Sequence, residues 1–106
     1  MDEPKEKREW KTRLAGVTFE GRMENIERYA MANSRYRLVR QPDNKFDTKA
    51  IQVTANGHDI GFLPSYLSQE LAPIMDSGIE LNVHFRRALV NEKKGEIVGL
   101  IVRIWE

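Results

Sequence analysis

Two aspartates, an asparagine, a proline, an aromatic and two lysines lie between Val39 and Ala50, in the run Arg-Gln-Pro-Asp-Asn-Lys-Phe-Asp-Thr-Lys-Ala-Ile-Gln-Val of residues 40–53. Pro42-Asp43 followed by Asp47-Thr48-Lys49 has the residue types of a metal-dependent nuclease. The spacing argues against that chemistry. Converging two carboxylates on one Mg²⁺ needs the second acid and the lysine on a separate strand, and here both elements share one short loop. A Ca²⁺ loop built on Asp43, Asn44 and Asp47 would lack its glycine and distal glutamate. His58 and His84 have no acid or nucleophile at a telling spacing. Ser65 and Ser68 lack the glycine frame of a nucleophile elbow, and Gly57 and Gly61 flank a hairpin strand without opening a phosphate-cradling helix. No catalytic residue, metal or cofactor is expected.

Binding chemistry fits the same letters better. An exposed aromatic among cations stacks on unpaired bases and holds phosphates, worth roughly 1–3 kcal/mol per stacked base. Phe46, with Arg40, Lys45 and Lys49 around it, has that character. A second reading of Phe46 stays open at this level, in which the ring tucks into the core and anchors its loop.

The elements that would position this loop follow from periodicity. Residues 1–9 read as a charged flexible tail ahead of one domain, 10–106. Trp10 to Phe19 alternates as a strand, and Met23, Ile26, Tyr29 and Ala30 recur at helical spacing. Arg35 to Arg40 reads as a strand with Tyr36 and Leu38 on one face and three arginines on the other. Ala50 to Ala55 and Asp59 to Leu63 form a hairpin through Asn56-Gly57, a pair that tolerates the positive φ of a type I′ turn. Pro64-Ser65 opens a second helix that Pro73 is expected to kink or divide. Ile79 to Val90 is a long strand, and Ile97 to Trp105, nearly all apolar, reads as a strand buried on both faces or closing a seam. The fold class is mainly β with two short helices, a small six-stranded, OB-like, partly open barrel.

Composition sets outer bounds. A chain of 106 residues, 41% hydrophobic and 31% charged, is one globular domain with a sizeable core. It has no cysteine and no apolar run approaching the ~18 residues of a membrane span. An intracellular protein with no membrane partner is expected. A net charge of +1 argues against a protein that coats duplex DNA, although basic residues cluster at 5–13, at 35–40 and at Arg86-Arg87.

Four segments in order resemble the HIRAN domain: Leu14-Ala-Gly-Val-Thr-Phe-Glu-Gly-Arg22, Leu38 to Ile51, Asp59-Ile-Gly-Phe-Leu-Pro64, and Leu71-Ala-Pro-Ile-Met-Asp-Ser-Gly78. That family occurs at the N-terminus of fork-remodelling Swi/Snf-type ATPases and as a free-standing protein in bacteria and phages. The resemblance implies an OB-like barrel that binds single-stranded DNA and captures a free 3′ end. It places Phe46 on a terminal base, Asp47 on the 3′ hydroxyl, Phe19 as a further stacking face, and Asn44, Phe62 and Ser65 along the pocket or its phosphate contacts. Arg22, Arg40 and Lys45 complete the expected DNA-binding set, with a DNA-processing ATPase or helicase as the expected protein partner. The pattern departs from the family at Thr18, at Lys45-Phe46, where proline and tyrosine are frequent, and at Thr48-Lys49, where proline and asparagine are common. The alternative function is a protein–protein interaction or assembly domain in which the same loop meets a partner chain.

Overall fold

A computed structural model describes residues 7–106. Six strands and two helices follow in the order β1 (Glu9–Arg13), α1 (Arg22–Tyr29), β2 (Tyr36–Arg40), β3 (Ile51–Ala55), β4 (His58–Phe62), α2 (Ser65–Asp76), β5 (Asn82–Asn91) and β6 (Glu96–Trp105). The strands form two three-stranded antiparallel sheets, β1-β6-β5 and β2-β3-β4. Among the described residues the sheets do not close into a barrel, and the arrangement is compatible with an OB-like fold. One bridge joins them outside the named strands, between Ala15 and Phe62.

Alternation builds the core. Leu100, Val102 and Ile104 of β6 are fully buried and share one core cluster with Ile51, Val53 and Ile60 of the second sheet, Ile26 from α1 and Leu71 from α2. Burying each such side chain stabilises the fold by roughly 1.5–3 kcal/mol. On the other face of β6, Ile101, Arg103 and Trp105 are only half-buried, so this strand is central in its sheet but not buried on both faces.

Other sequence expectations need correction. The first strand stops at Arg13 instead of running to Phe19, because the chain turns at Gly16, where φ is +67°. The apolar alternation beyond it is carried by a bridge and turns that bury Leu14 and Val17. Pro73 does not divide α2, which runs unbroken from Ser65 to Asp76. Pro73 lies on the exposed side of the last turn, so the Gln69 carbonyl that loses its N–H partner belongs to an exposed residue and can be met by solvent. The Asn56-Gly57 turn has the expected positive φ at both residues, and Arg35 donates its N–H to Asn56 Oδ1.

Residues 1–6 of the segment read as a tail lie outside the described residues. The two residues that follow Lys7 are held in place. The Arg8 side chain pairs with Glu106 at 2.9 Å, and Glu9 pairs with Arg103 at 2.7 Å, which fastens β1 along β6. The hydrogen bond from the Arg8 side chain, helped by one from its backbone N–H, pulls the Glu106 carboxyl down to about 2. A depressed carboxylate contributes its stability above the unfolded value, about 4.3, and loses it as pH falls through the folded value. An NMR pH titration should therefore show Glu106 titrating at about 2, and Arg8→Ala should return it to the ordinary carboxylate range.

Candidate nucleic-acid interface

The loop between β2 and β3 is built by its own side chains. Gln41 donates its N–H to the Ala50 carbonyl, which closes the loop mouth. Asn44 then acts as an internal staple: its Oδ1 accepts the N–H groups of Phe46 and Asp47 at 2.9 and 3.0 Å, and its amide donates to Gln41 Oε1 at 3.0 Å. Asp47 Oδ1 accepts the N–H of Lys49 at 2.9 Å, an Asx-type turn. The other Asp47 oxygen makes no hydrogen bond among the described residues.

This staple holds Phe46 away from the core. The ring is 98% exposed, which decides between the two readings of this residue: it does not anchor the loop. Phe19 projects from the turn between Gly16 and α1 and is 65% exposed. Phe62, half-buried on β4, lies opposite Gln52 in the β3–β4 ladder. Together with Asn44, Asp47, Arg22 and Ser65 these aromatics border one open cleft of about 840 Å³, floored by the buried Ala50 and Leu63. Its size falls in the roughly 300–1,000 Å³ range of ligand clefts.

The cations are not where the sequence suggested. Arg40 lies outside the cleft. Its guanidinium pairs with Asp76 at the end of α2 at 2.9 and 3.0 Å and donates to the Ala50 carbonyl at 3.0 Å. That contact holds the Asp76 carboxyl below its ordinary value. Strand parity explains the position: Arg40 falls on the Tyr36 and Leu38 side, and Val39 takes the outward place given to a third arginine. Arg22 borders the cleft but is already engaged. Its Nε bonds Asp59 at 2.8 Å, its Nη1 donates to the Gly16 carbonyl at 2.8 Å, and its charge lies 4.9 Å from the Phe62 ring centroid. Arg22 thus fixes the ring that forms the cleft wall. Lys45 is exposed on the loop but does not border the cleft.

Glu20, Asp59, Gln41 and Gln52 also border the cleft and were not singled out from the sequence. Gln52 had a signal, since alternation turns it outward on β3, and Gln41 lies in the β2–β3 loop itself; Glu20 and Asp59 depend on tertiary approach. The lining carries three carboxylates, Glu20, Asp47 and Asp59, against the single cation Arg22. Such a cleft accommodates an apolar, hydrogen-bonding group more readily than a phosphate. Ser65 stands at its rim, at the start of α2, where no side chain caps the helix. Asp43 lies apart, in a shallow depression with Arg40 and Pro42. Among the described residues there is no cluster of three or more metal-ligating His, Cys, Asp or Glu side chains, and no helix long and apolar enough to cross a membrane.

A family model described as the HIRAN domain matches residues 9–94. The chain belongs to the HIRAN domain family. Two solved structures share its fold. One is a protein from Lactobacillus plantarum, with a TM-score of 0.64 and 19% identity, covering 93% of this chain and 99% of that one. The other is the HIRAN domain of human HLTF, with a TM-score of 0.58 and 22% identity, covering 92% of this chain and 74% of that one. No curated protein sequence matches the chain. HIRAN domains are generally DNA-binding, non-catalytic modules, so membership supports nucleic-acid binding by this HIRAN domain.

Proposed function

We propose that this HIRAN domain, residues 10–106, binds single-stranded DNA and seats its 3′-terminal nucleoside in the cleft between Phe19, Phe46 and Phe62. The observation that carries the proposal is the stapled loop. Asn44 spends its side chain on holding Phe46 in solvent beside Asp47, an arrangement that contributes nothing to the core.

Phe46 and Phe19 offer faces for a terminal base. The free Asp47 oxygen accepts the 3′ hydroxyl in a charge-assisted hydrogen bond. The same carboxylate, with Glu20, repels a 3′ phosphate, while the Asp59 charge is offset by Arg22, so the cleft selects an end that has no phosphate. Ser65 and the uncapped start of α2 meet the first phosphate inward from the end, where a helix N-terminus favours negative charge. Asn44 acts by shaping the loop. Arg40 ties the loop to α2, and Lys45 approaches the strand only from the loop's outer side. A DNA-processing ATPase or helicase is the fitting protein partner, in an intracellular setting.

Asp47→Asn tests the end-reading step, because asparagine keeps an acceptor for the Lys49 N–H and removes the charge. Fluorescence anisotropy with single-stranded oligonucleotides should show the wild type preferring a 3′ hydroxyl over a 3′ phosphate by about tenfold, the size of one hydrogen bond to a charged group. Asp47→Asn should lose most of that preference at an unchanged melting temperature. Equal wild-type affinity for both ends would overturn end recognition. Absence of binding even at low salt would overturn the nucleic-acid proposal and favour a protein partner for the loop.

A further inference from the structure

The carboxylates of the cleft leave the phosphates of a bound strand to be met elsewhere, and a second surface starts where the cleft ends. Phe62 borders the cleft and pairs through its backbone with Ala15. Two residues before Ala15, about 7 Å along an extended chain, Arg13 stands on the outer face of the β1-β6-β5 sheet. There a groove of about 400 Å³ is lined by Lys11, Arg13, Arg86, Arg87, Ile101 and Tyr66. Tyr66 follows Ser65 of the cleft rim and is 73% exposed.

The basic side chains are gathered by register. Arg13 and Arg87 both pair with Ile101, so they flank it in one row across the sheet. Simple alternation from Phe85 would turn Arg87 inward. A bulge between Phe85 and Arg87 shifts the register and leaves Arg86 and Arg87 both exposed. Arg13 is partly fixed: it donates to the Val98 carbonyl at 3.3 Å and lies against Gly99, where a Cβ would come within 3.1 Å of its Nε. Lys11, Arg86 and Arg87 have no ion-pair partner among the described residues, and Glu9 on the same face is taken by Arg103. Glu9 is also close enough to feel the charges of Lys11 and Arg86, but four cations against that one shared acid leave the groove net positive beside an exposed aromatic ring.

We infer that this groove is a phosphate track for the same DNA strand, which leaves the cleft past Ser65, crosses Tyr66 and runs along Arg13, Arg87, Arg86 and Lys11. The inference rests on the cleft reading for the direction of the strand and on the groove's own charge for its affinity. Charge complementarity and continuity with the cleft favour a nucleic-acid strand as the occupant.

The test is anisotropy on 3′-hydroxyl oligothymidylates of about four and about twelve nucleotides, both within the ~4–16 nucleotide site sizes of such folds, over a salt series, with wild type, Phe46→Ala and the pair Arg86→Gln/Arg87→Gln. In the wild type the longer strand should bind at least tenfold more tightly and with a steeper salt dependence. The arginine pair should bind the short strand as wild type does, lose that gain, and flatten the salt slope by about 1.4, or about 0.7 per lost phosphate contact. An unchanged long-strand affinity and slope in the arginine pair would overturn the track while leaving the cleft standing. Loss of long-strand binding in the arginine pair alongside indifference of both strands to Phe46→Ala would overturn the cleft and keep the groove. No binding of either strand to wild type would overturn both.

Discussion

Phe46→Ala is expected to weaken binding of single-stranded DNA by roughly 5- to 150-fold, the equivalent of 1–3 kcal/mol for one stacked base, and to leave folding stability within ~0.5 kcal/mol of wild type. The two halves of this expectation come from the same number. A ring that is 98% exposed has almost no native contacts to lose, and the unfolded chain exposes it equally. The loop conformation does not depend on the ring either, because Asn44 and Asp47 hold the backbone through their own side chains. Anisotropy titration beside a thermal melt checks both parts. A large fall in melting temperature would mean that the ring packs somewhere in solution and that the cleft is not open as described.

Gly61→Ala should do the reverse and destabilise the fold by about 3 kcal/mol, at the upper end of backbone strain at a glycine-only conformation. For a domain of this size that is a fall of more than about 10 °C in melting temperature. Gly61 has φ of +137°, and a Cβ there would sit 2.8 Å from the Ala15 carbonyl oxygen, 3.3 Å from Val17 and 3.5 Å from Leu14. The carbonyl cannot move freely. It accepts the Phe62 N–H at 3.0 Å while Ala15 donates to Phe62 at 2.8 Å, and these bonds are the bridge between the sheets. Forcing them apart also tilts Phe62, so any Gly61→Ala protein that still folds should bind DNA less well. Calorimetry or a denaturant melt reads the first effect directly. A variant as stable as wild type would show that the bridge is not a constraint on the fold.

The contrast between these residues shows what could be read from the chain. The β2–β3 loop was legible because Tyr36 to Val39 and Ile51 to Val53 keep strand alternation on either side of a run too rich for a plain turn. Phe46 and Asp47 stood out within it by type. Whether Phe46 faced solvent was not legible, since local spacing is the same for an anchor and for a stacking face; the Asn44 staple decided it. Arg40 was misplaced because basic residues were grouped by proximity, whereas period-two parity sends Arg37 outward and Arg40 toward Asp76. The first strand was drawn too long because Leu14 and Val17 go on being buried after the chain has left the sheet. Glu20 and Asp59 reach the cleft from segments far from the loop, and the β5 bulge that exposes Arg87 depends on pairing with β6. Neither leaves a trace in local sequence.

The central claim is that a single strand of DNA enters the cleft at the β2–β3 loop. Its most direct test is a two-dimensional NMR titration of the backbone amides with a short 3′-hydroxyl oligonucleotide. The structure predicts the largest shifts at residues 44–49, with further shifts at Phe19, Phe62, Ser65 and Tyr66. Shifts confined to β2 and the β5–β6 hairpin tip, with the loop amides unmoved at saturation, would contradict it.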